Sequence, residues 1–204
     1  MWRVGQVITR LLSSVGQPPT VIDFDPNQID LMRQFGHKAY YGDITRPDVL
    51  RAAGIANAKL LILAIDNAED ALETARYVRK HYPQVTILAR ARNRTYAFEY
   101  MDLEIDFVRE TFAGALQLGE KMLTELGYSR FHAYRTTWRF RQHDEKLMRE
   151  SHPIRNDMQQ VVVNSLRMRN DLTRILTEEQ QGNDRRERIN QGWEQVGRPE
   201  ADSR

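Results

Sequence analysis

The sequence predicts an α/β fold, in which a doubly wound parallel sheet without its first strand is followed by a helical arm. Short β-rich runs alternate with helical patterns up to about residue 110, which is the order expected of βαβ units. The run Lys59–Ile65 (KLLILAI) is apolar after its first residue, as in a strand covered on both faces. No strand signal returns from Thr111 onward, so the rest of the chain is predicted to be helical.

Each element follows from apolar periodicity and from the residues at its ends. Strands are predicted at 19–25, 38–42, 59–65, 85–89 and 105–108, and helices between them at 4–15, 26–35, 47–53, 67–82 and 93–103. Asp25 is suited to cap the second helix, and Gly16 and Gly54 follow helix ends. Three further helices are predicted at 111–126, from 131 to about 151, and from a cap at Asn156 to about 180, with Pro153 breaking the second.

The composition excludes several classes of function. The chain has 204 residues, a net charge of +2, 41% hydrophobic residues and no cysteine, which excludes disulfides and thiolate chemistry. The apolar run Leu60–Ile65 is far too short to span a membrane, and the N-terminus has no signal-peptide layout. The histidines have no metal-ligand spacing, and no nucleophile elbow or P-loop is visible, so neither a metal site nor an enzyme is predicted.

The sequence predicts three parts. They are an α/β domain at 1–127, a helical dimerisation arm at 128–181 and a polar, mobile tail at 182–204. The arm is the part with apolar stripes. Phe131, Tyr134, Trp138 and Met148 form one stripe along the second helix of this half. They can cover the α/β domain or a second copy of the chain, and their area favours the dimer. Basic residues make the same helix a candidate for RNA binding, but the aromatic residues occupy one helical stripe, which packing explains better, so nucleic acid is not predicted as a partner.

Asp23 is the first candidate for ligand binding. It ends a strand where a dinucleotide-binding fold places the acid that holds a ribose hydroxyl, with a turn or strand-end role as the alternative. Gly5 fits the third glycine of a G-x-G-x-x-G loop, whereas Trp2 stands where the second is expected. Asp43, after the next strand, is suited to an adenine amino group or to capping a turn. Arg3 lies beside the expected phosphate position, and the sequence favours its alternative role as a solvated arginine at a helix start.

The first strand of such a sheet is central, so its absence has a structural consequence. We expect a gap between the second and fourth strands of the standard order. The chain is then a fragment or begins at a misplaced start, or another segment fills the gap.

Arg90 and Arg92 are the second group of candidates. They follow a buried strand in ILARARNR, and alternate positions direct both side chains to one side. Two guanidinium groups there suit the carboxylates of a small anionic ligand, or they pair with Asp66, Glu99 or Glu110. Phe112, at the next helix start, contacts a ligand or anchors the core, and the sequence favours the core.

Five blocks of sequence resemble one family. The blocks are Arg3–Gln6 (RVGQ), Val21–Pro26 (VIDFDP), Tyr40–Asp43 (YYGD), Ile87–Arg92 (ILARAR) and Arg109–Leu116 (RETFAGAL). In this order, over about residues 3–127, they resemble the cytosolic RCK or KTN domain of glutathione-gated potassium efflux antiporters of the Kef type. The ARAR and RETF blocks favour the Kef branch, and the arm and Gly192–Trp193 are similar more loosely.

The resemblance implies a Rossmann-like domain that regulates transport rather than catalysing a reaction. Its members form homodimers beneath a transmembrane antiporter, at the inner face of the bacterial inner membrane, and bind a nucleotide, AMP or NAD(H). In the Kef branch glutathione keeps the transporter shut, and bulkier adducts displace an aromatic side chain, so that potassium leaves and protons enter. An ancillary flavin oxidoreductase subunit is a further implied partner.

Carried over residue by residue, the resemblance gives each candidate a role. Asp23 and Asp43 would hold ribose and adenine, Arg90 and Arg92 would lie near glutathione, and Phe112 would be the displaced aromatic.

Two other hypotheses stay open, a soluble NAD(P)-binding oxidoreductase-like protein and a dimerising remnant without ligand function. The first needs a Tyr/Lys pair or a substrate domain, neither of which is found at a credible spacing.

Overall fold

The computed structural model describes residues 3–196 and, within them, the side chains of residues 4–177. The chain divides into two compact units, one ending at Ala115 and the other beginning at Leu116. The division falls inside a helix and before the boundary at residue 127 that the sequence predicts.

The first unit alternates helices and strands as predicted. Its strands are β1 (Val21–Asp23), β2 (Ala39–Tyr41), β3 (Leu60–Leu63), β4 (Thr86–Ala91) and β5 (Asp106–Arg109). Its helices are α1 (Arg3–Ser14), α2 (Pro26–Gln34), α3 (Pro47–Ala53), α4 (Ala68–His81) and α5 (Arg94–Asp102), with a 3-10 turn at Ile55–Asn57. The α/β prediction is therefore confirmed, including the Asp25 cap, whose carboxylate accepts from the Asn27 amide at 2.9 Å.

The strands form two separate parallel sheets. One pairs β1 with β2, in the register Val21 to Ala39 and Asp23 to Tyr41. The other has the order β3-β4-β5, and Ala91 lies opposite Arg109 at its carboxyl edge. No strand of the described chain joins β1 to β3, which agrees with the gap expected where a first strand would lie.

Apolar side chains bury the helices against these sheets. On the smaller sheet, Val21, Ile29, Met32 and Ala39 form one buried cluster between α2 and the two strands. On the larger sheet, Leu63 is among the most deeply buried side chains, together with Val78, Val85 and Tyr100. The candidate residues lie at the carboxyl ends of the strands, so their positions are fixed by strands that are packed against helices.

The second unit is helical. Helix α6 (Glu110–Glu125) spans the division between the units, and α7 (Arg130–Ser151) packs against α8 (Met158–Val196). Two details differ from the sequence prediction. Asp157 rather than Asn156 lies at the start of α8 and accepts from the Gln160 amide at 3.1 Å, and α8 continues beyond residue 180.

The predicted polar tail at 182–204 therefore overlaps a helix as far as Val196. The sequence indicated an end near 180 because Gly182 and a polar stretch follow. Residues 197–204 lie outside the described residues, and the mobility of the tail stays a prediction. Among the described helices, none is long and apolar enough to cross a membrane.

Candidate functional site

Asp23 is a buried carboxylate at the carboxyl end of β1. Its side chain is 8% exposed, and Oδ1 accepts a hydrogen bond of 2.8 Å from the Asp25 amide. Oδ2 is buried without a hydrogen-bond partner. Burial, opposed by the Asp25 amide, raises the pKa of Asp23 above its ordinary value. Oδ2 is therefore an unsatisfied acceptor, and a ligand hydroxyl could donate the hydrogen bond that it lacks.

Asp43 lies on the neighbouring strand end, close in sequence to the residue opposite Asp23. Tyr41 is the register partner of Asp23, and the Gly42 amide donates to the Asp23 carbonyl at 2.9 Å. The Asp43 side chain is exposed, and its Oδ1 accepts from the amide and the hydroxyl of Thr45, at 2.9 and 2.8 Å. Asp43 therefore caps a turn, which is the alternative role that the sequence left open, and it uses one of its two carboxylate oxygens to do so.

The other two nucleotide candidates lie at the start of α1. Gly5 is buried and lines a cleft beside β1. Arg3 begins the helix, and its side chain lies outside the described residues. The smaller sheet therefore brings Asp23 and Asp43 to one edge.

Arg90 occupies the centre of an ion-pair cluster at the carboxyl end of the larger sheet. Its Nη2 lies 2.8 Å from Oδ1 of Asp66, which follows β3, and its Nε lies 3.1 Å from Oε2 of Glu110, which follows β5. The side chain of Arg90 is 15% exposed, far less than either partner. The Arg90 guanidinium, as hydrogen-bond donor, lowers the pKa of Asp66. Pairing with Glu99 does not occur, because Arg76 lies 2.6 Å from Glu99.

Arg92 reaches the same segment from the same side of the strand. Its Nη1 is 3.5 Å from the Asp66 carbonyl oxygen, and its side chain is exposed. Tyr96, at the start of α5, donates its hydroxyl to Glu69 at 2.8 Å, and Glu69 lies in the first turn of α4. The predicted convergence of Arg90 and Arg92 is thus present, with Asp66 as the shared partner.

Phe112 contacts an arginine at the end of the neighbouring strand. The guanidinium carbon of Arg109 lies 3.9 Å from the centre of the Phe112 ring, a cation–π contact. Phe112 is half-buried, and none of the described residues of α6 is fully buried. The Phe112 ring thus packs against a charged group at the edge of the sheet, and the preference for a core anchor, drawn from the sequence, stays a prediction.

Sequence reasoning did not single out Arg109 or Phe24. Arg109 lies opposite Ala91, between Arg90 and Arg92, and only the register of β4 with β5 places it there. Phe24 is 75% exposed between Asp23 and Asp25, next to the candidate nucleotide residues. An aromatic residue directly after a strand-end acid is the signal that could have identified it.

The site residues fall into two groups with different chemistry. At the smaller sheet, acceptor oxygens are available for hydroxyl or amino donors. At the larger sheet, three arginines lie among acidic residues and an aromatic ring, an arrangement that can exchange its own carboxylates for those of a ligand. No group of histidine and acidic residues among the described side chains could hold a metal ion.

Comparison with known proteins gives two family matches. Residues 1–109 match the family described as the TrkA-N domain, and residues 114–192 match the potassium efflux system KefB C-terminal domain. A solved structure described as the Shewanella denitrificans Kef CTD in AMP bound form is 43% identical. The match covers 74% of this chain and 93% of that chain, with a TM-score of 0.69.

Two further solved structures are similar over the first half. The TrkA-N domain of the inner membrane protein ybaL from Escherichia coli is 28% identical, with 57% of this chain and 89% of that chain covered and a TM-score of 0.53. The GsuK channel bound to NAD is 23% identical, with 57% and 21% covered and a TM-score of 0.52, a likeness of fold alone.

Proposed function

The chain belongs to the TrkA-N family and carries a Kef-type C-terminal domain, and from this premise we propose that it is a ligand-sensing regulatory domain of a glutathione-gated potassium/proton antiporter. It acts on a transmembrane transporter domain at the cytoplasmic face of the membrane. It binds a nucleotide at one sheet edge and glutathione or its adducts at the other. The domain regulates potassium efflux and carries out no chemical conversion of its own.

The buried, unpartnered Oδ2 of Asp23 is the observation that carries the nucleotide site. An ionised carboxylate there accepts from the ribose hydroxyls of AMP or NAD(H), and these bonds compensate the desolvation of the charge. Asp43 uses Oδ1 to accept from Thr45 in the turn, and its other carboxylate oxygen accepts from the adenine amino group. Gly5 leaves room for backbone approach at the start of α1, and Arg3 lies at the same helix end.

Isothermal titration of AMP tests the nucleotide site. We expect saturable binding by the 204-residue chain and at least a tenfold loss for Asp23→Asn, because the amide replaces the strongest acceptor with a neutral one. Asp30→Asn is the matched control, since Asp30 is an exposed residue of α2 whose change should leave affinity unchanged. Equal affinity of the wild-type and the Asp23 variant would remove Asp23 from the site.

The arginine cluster supports the glutathione site. Glutathione carries two carboxylates, and Arg90 already holds two carboxylates, those of Asp66 and Glu110. A ligand therefore enters by exchange, taking over guanidinium donors of Arg90 and Arg92 while Asp66 and Glu110 return to water. A bulky adduct on the glutathione sulfur displaces Phe112 from Arg109, and this rearrangement is the signal to the transporter.

Binding of glutathione and of its succinyl adduct tests this second site. Arg90→Ala should weaken glutathione by about 1.5–3 kcal/mol, the range for hydrogen bonds to charged groups. Arg76→Ala removes an exposed arginine that pairs with Glu99 elsewhere on the unit, and it should bind normally. Phe112→Leu should reduce the difference in affinity between glutathione and the adduct. No binding of either compound by the wild-type chain would contradict the glutathione part and leave the nucleotide part standing.

Exposed apolar stripes support the homodimer. Leu118 and Met122 on α6, and Leu126 directly after it, recur every four residues, and Phe131, Tyr134 and Trp138 line α7; all of them are exposed in the single chain. Met148, in contrast, is buried. A second copy would cover these stripes, and an ancillary flavin oxidoreductase subunit is a further partner of the assembled transporter. Sedimentation at increasing concentration distinguishes a dimer from a monomer with an uncovered surface.

A further inference from the structure

Two carboxylates of the chain itself occupy the buried arginine at the carboxyl edge of the larger sheet. Arg90 Nη2 lies 2.8 Å from Oδ1 of Asp66, and Arg90 Nε lies 3.1 Å from Oε2 of Glu110. The two acids come from segments that follow β3 and β5, the strands on either side of β4. The order of the strands thus brings two anionic side chains onto the donors of one guanidinium group.

Burial distinguishes the fixed member of this cluster from the exchangeable ones. The Arg90 side chain is 15% exposed, whereas that of Asp66 is 65% exposed and that of Glu110 is 45% exposed. When the pairs break, the two carboxylates recover much of their hydration, but the guanidinium group of Arg90 does not. Arg90 is therefore satisfied only while an anion contacts it, and a carboxylate of a ligand serves as well as one of the chain.

Other side chains hold the backbone next to Asp66. Asn67 caps α4 and accepts from the Glu69 amide at 3.0 Å. Tyr96 donates its hydroxyl to the Glu69 side chain at 2.8 Å, which ties the first turn of α4 to α5. Neither contact uses the Asp66 carboxylate, so this side chain can leave Arg90 while α4 keeps its cap and its link to α5.

We propose that Asp66 and Glu110 are internal competitors, which lower the affinity of the glutathione site by occupying Arg90 until carboxylates of the ligand replace them. This inference rests on the proposed glutathione site and adds the residues that regulate it. Because the ligand must displace the internal pairs, its apparent affinity is its intrinsic affinity multiplied by the fraction of chains in which Arg90 is vacant. Removal of either competitor therefore tightens binding, although each acid stabilises the ligand-free chain.

Isothermal titration of the 204-residue chain with glutathione tests the competition. Asp66→Asn keeps the size of the side chain and removes its charge, so this variant should bind glutathione about fivefold more tightly than the wild-type chain. Glu110→Gln should tighten binding in the same way. An acid with a merely structural role would leave the affinity unchanged or weaker when it is replaced, so the sign of the change distinguishes the two roles.

Two further variants separate displacement at Arg90 from a general gain in positive charge. Glu69→Gln removes the same charge three residues after Asp66, but the Glu69 side chain contacts Tyr96 instead of Arg90. Its affinity for glutathione should stay within about twofold of the wild-type value, because an exposed charge is screened by water and salt. In Arg90→Ala, the added change Asp66→Asn should have no effect, because the arginine for which the acid competes is gone.

The outcomes distinguish this inference from the site on which it rests. Tighter binding by Asp66→Asn and by Glu110→Gln, or binding measurable in these variants alone, supports the competition. Equal or weaker binding by either variant, while the wild-type chain still binds glutathione, overturns the competition and leaves the site standing. An equal gain in Glu69→Gln also overturns it, because charge alone would then account for the effect. No binding by any of these chains contradicts the glutathione site itself, and the competition with it.

Discussion

Removal of the Arg90 side chain should destabilise the first unit more than removal of the Arg76 side chain, although Arg76 makes the shorter ion-pair contact. Arg90 has two carboxylate partners, at 2.8 and 3.1 Å, and its side chain is 15% exposed. Arg76 has a shorter contact with Glu99, 2.6 Å, but its side chain is 54% exposed. Burial rather than distance should decide the order, because water screens the exposed pair and competes for both of its members.

The two costs can be estimated from these values. An exposed pair contributes about 0.2–1 kcal/mol, so Arg76→Ala should cost about 0.5 kcal/mol. Arg90→Ala removes two charge-assisted contacts of a largely buried guanidinium, while the more exposed Asp66 and Glu110 regain water. We expect a loss of about 2 kcal/mol in the free energy of unfolding, which lowers the Tm of the first unit by about 6–8 °C.

The assay must report on the first unit alone, because the two units need not unfold together. The chain has three tryptophans, of which Trp2 belongs to the first unit and Trp138 and Trp193 to the second, so fluorescence would mix signals from both units. Hydrogen exchange of β4 against urea concentration gives the required value. Equal losses for the Arg90 and Arg76 variants, or a larger loss for Arg76, would refute the reasoning from burial.

Three other predictions concern stability and assembly. Burial raises the pKa of Asp23, so its ionised form opposes folding. Asp23→Asn should therefore raise the free energy of unfolding at pH 7, and the gain should fade on acidification and be lost below about pH 3.9, the ordinary pKa of an aspartate, where Asp23 becomes protonated in both states. Urea titrations across this pH range measure the gain, and a gain that grows on acidification would contradict the raised pKa of Asp23. Gly42→Ala places a Cβ 2.8 Å from Cγ2 of Val49 and should cost about 1–3 kcal/mol, a loss that Val49→Ala relieves in the double variant and that urea unfolding measures. Leu118→Asp should shift sedimentation of the chain to the monomer, and an unchanged dimer would place the interface elsewhere.

The alternation of elements could be predicted because it depends on local signals. Asp25 and Asn67 both cap helices through side-chain bonds to nearby amides, and such caps are visible as residue types at fixed positions. The family assignment is likewise confirmed, because it depended on five blocks in order along the chain. The end of α8 was placed too early, since Gly182 stops many helices but not this one.

The partners of the site residues could not be predicted, because they depend on register and packing. The sequence offered three acids for Arg90, and only the fold shows that Glu99 on α5 faces Arg76. The contact of Phe112 with Arg109 joins the end of β5 to the start of α6, where an apolar ring suggested a core position. The roles of these residues toward ligands stay predictions.

The most direct test of the central claim is an NMR titration of the 204-residue chain with AMP, followed through its backbone amides. The account predicts saturable shifts that are largest at residues 23–25 and 42–45, where Asp23 and Asp43 lie, and that are lost in Asp23→Asn. Absence of saturable shifts, or shifts centred on α7 and α8, would contradict a nucleotide-binding regulatory domain.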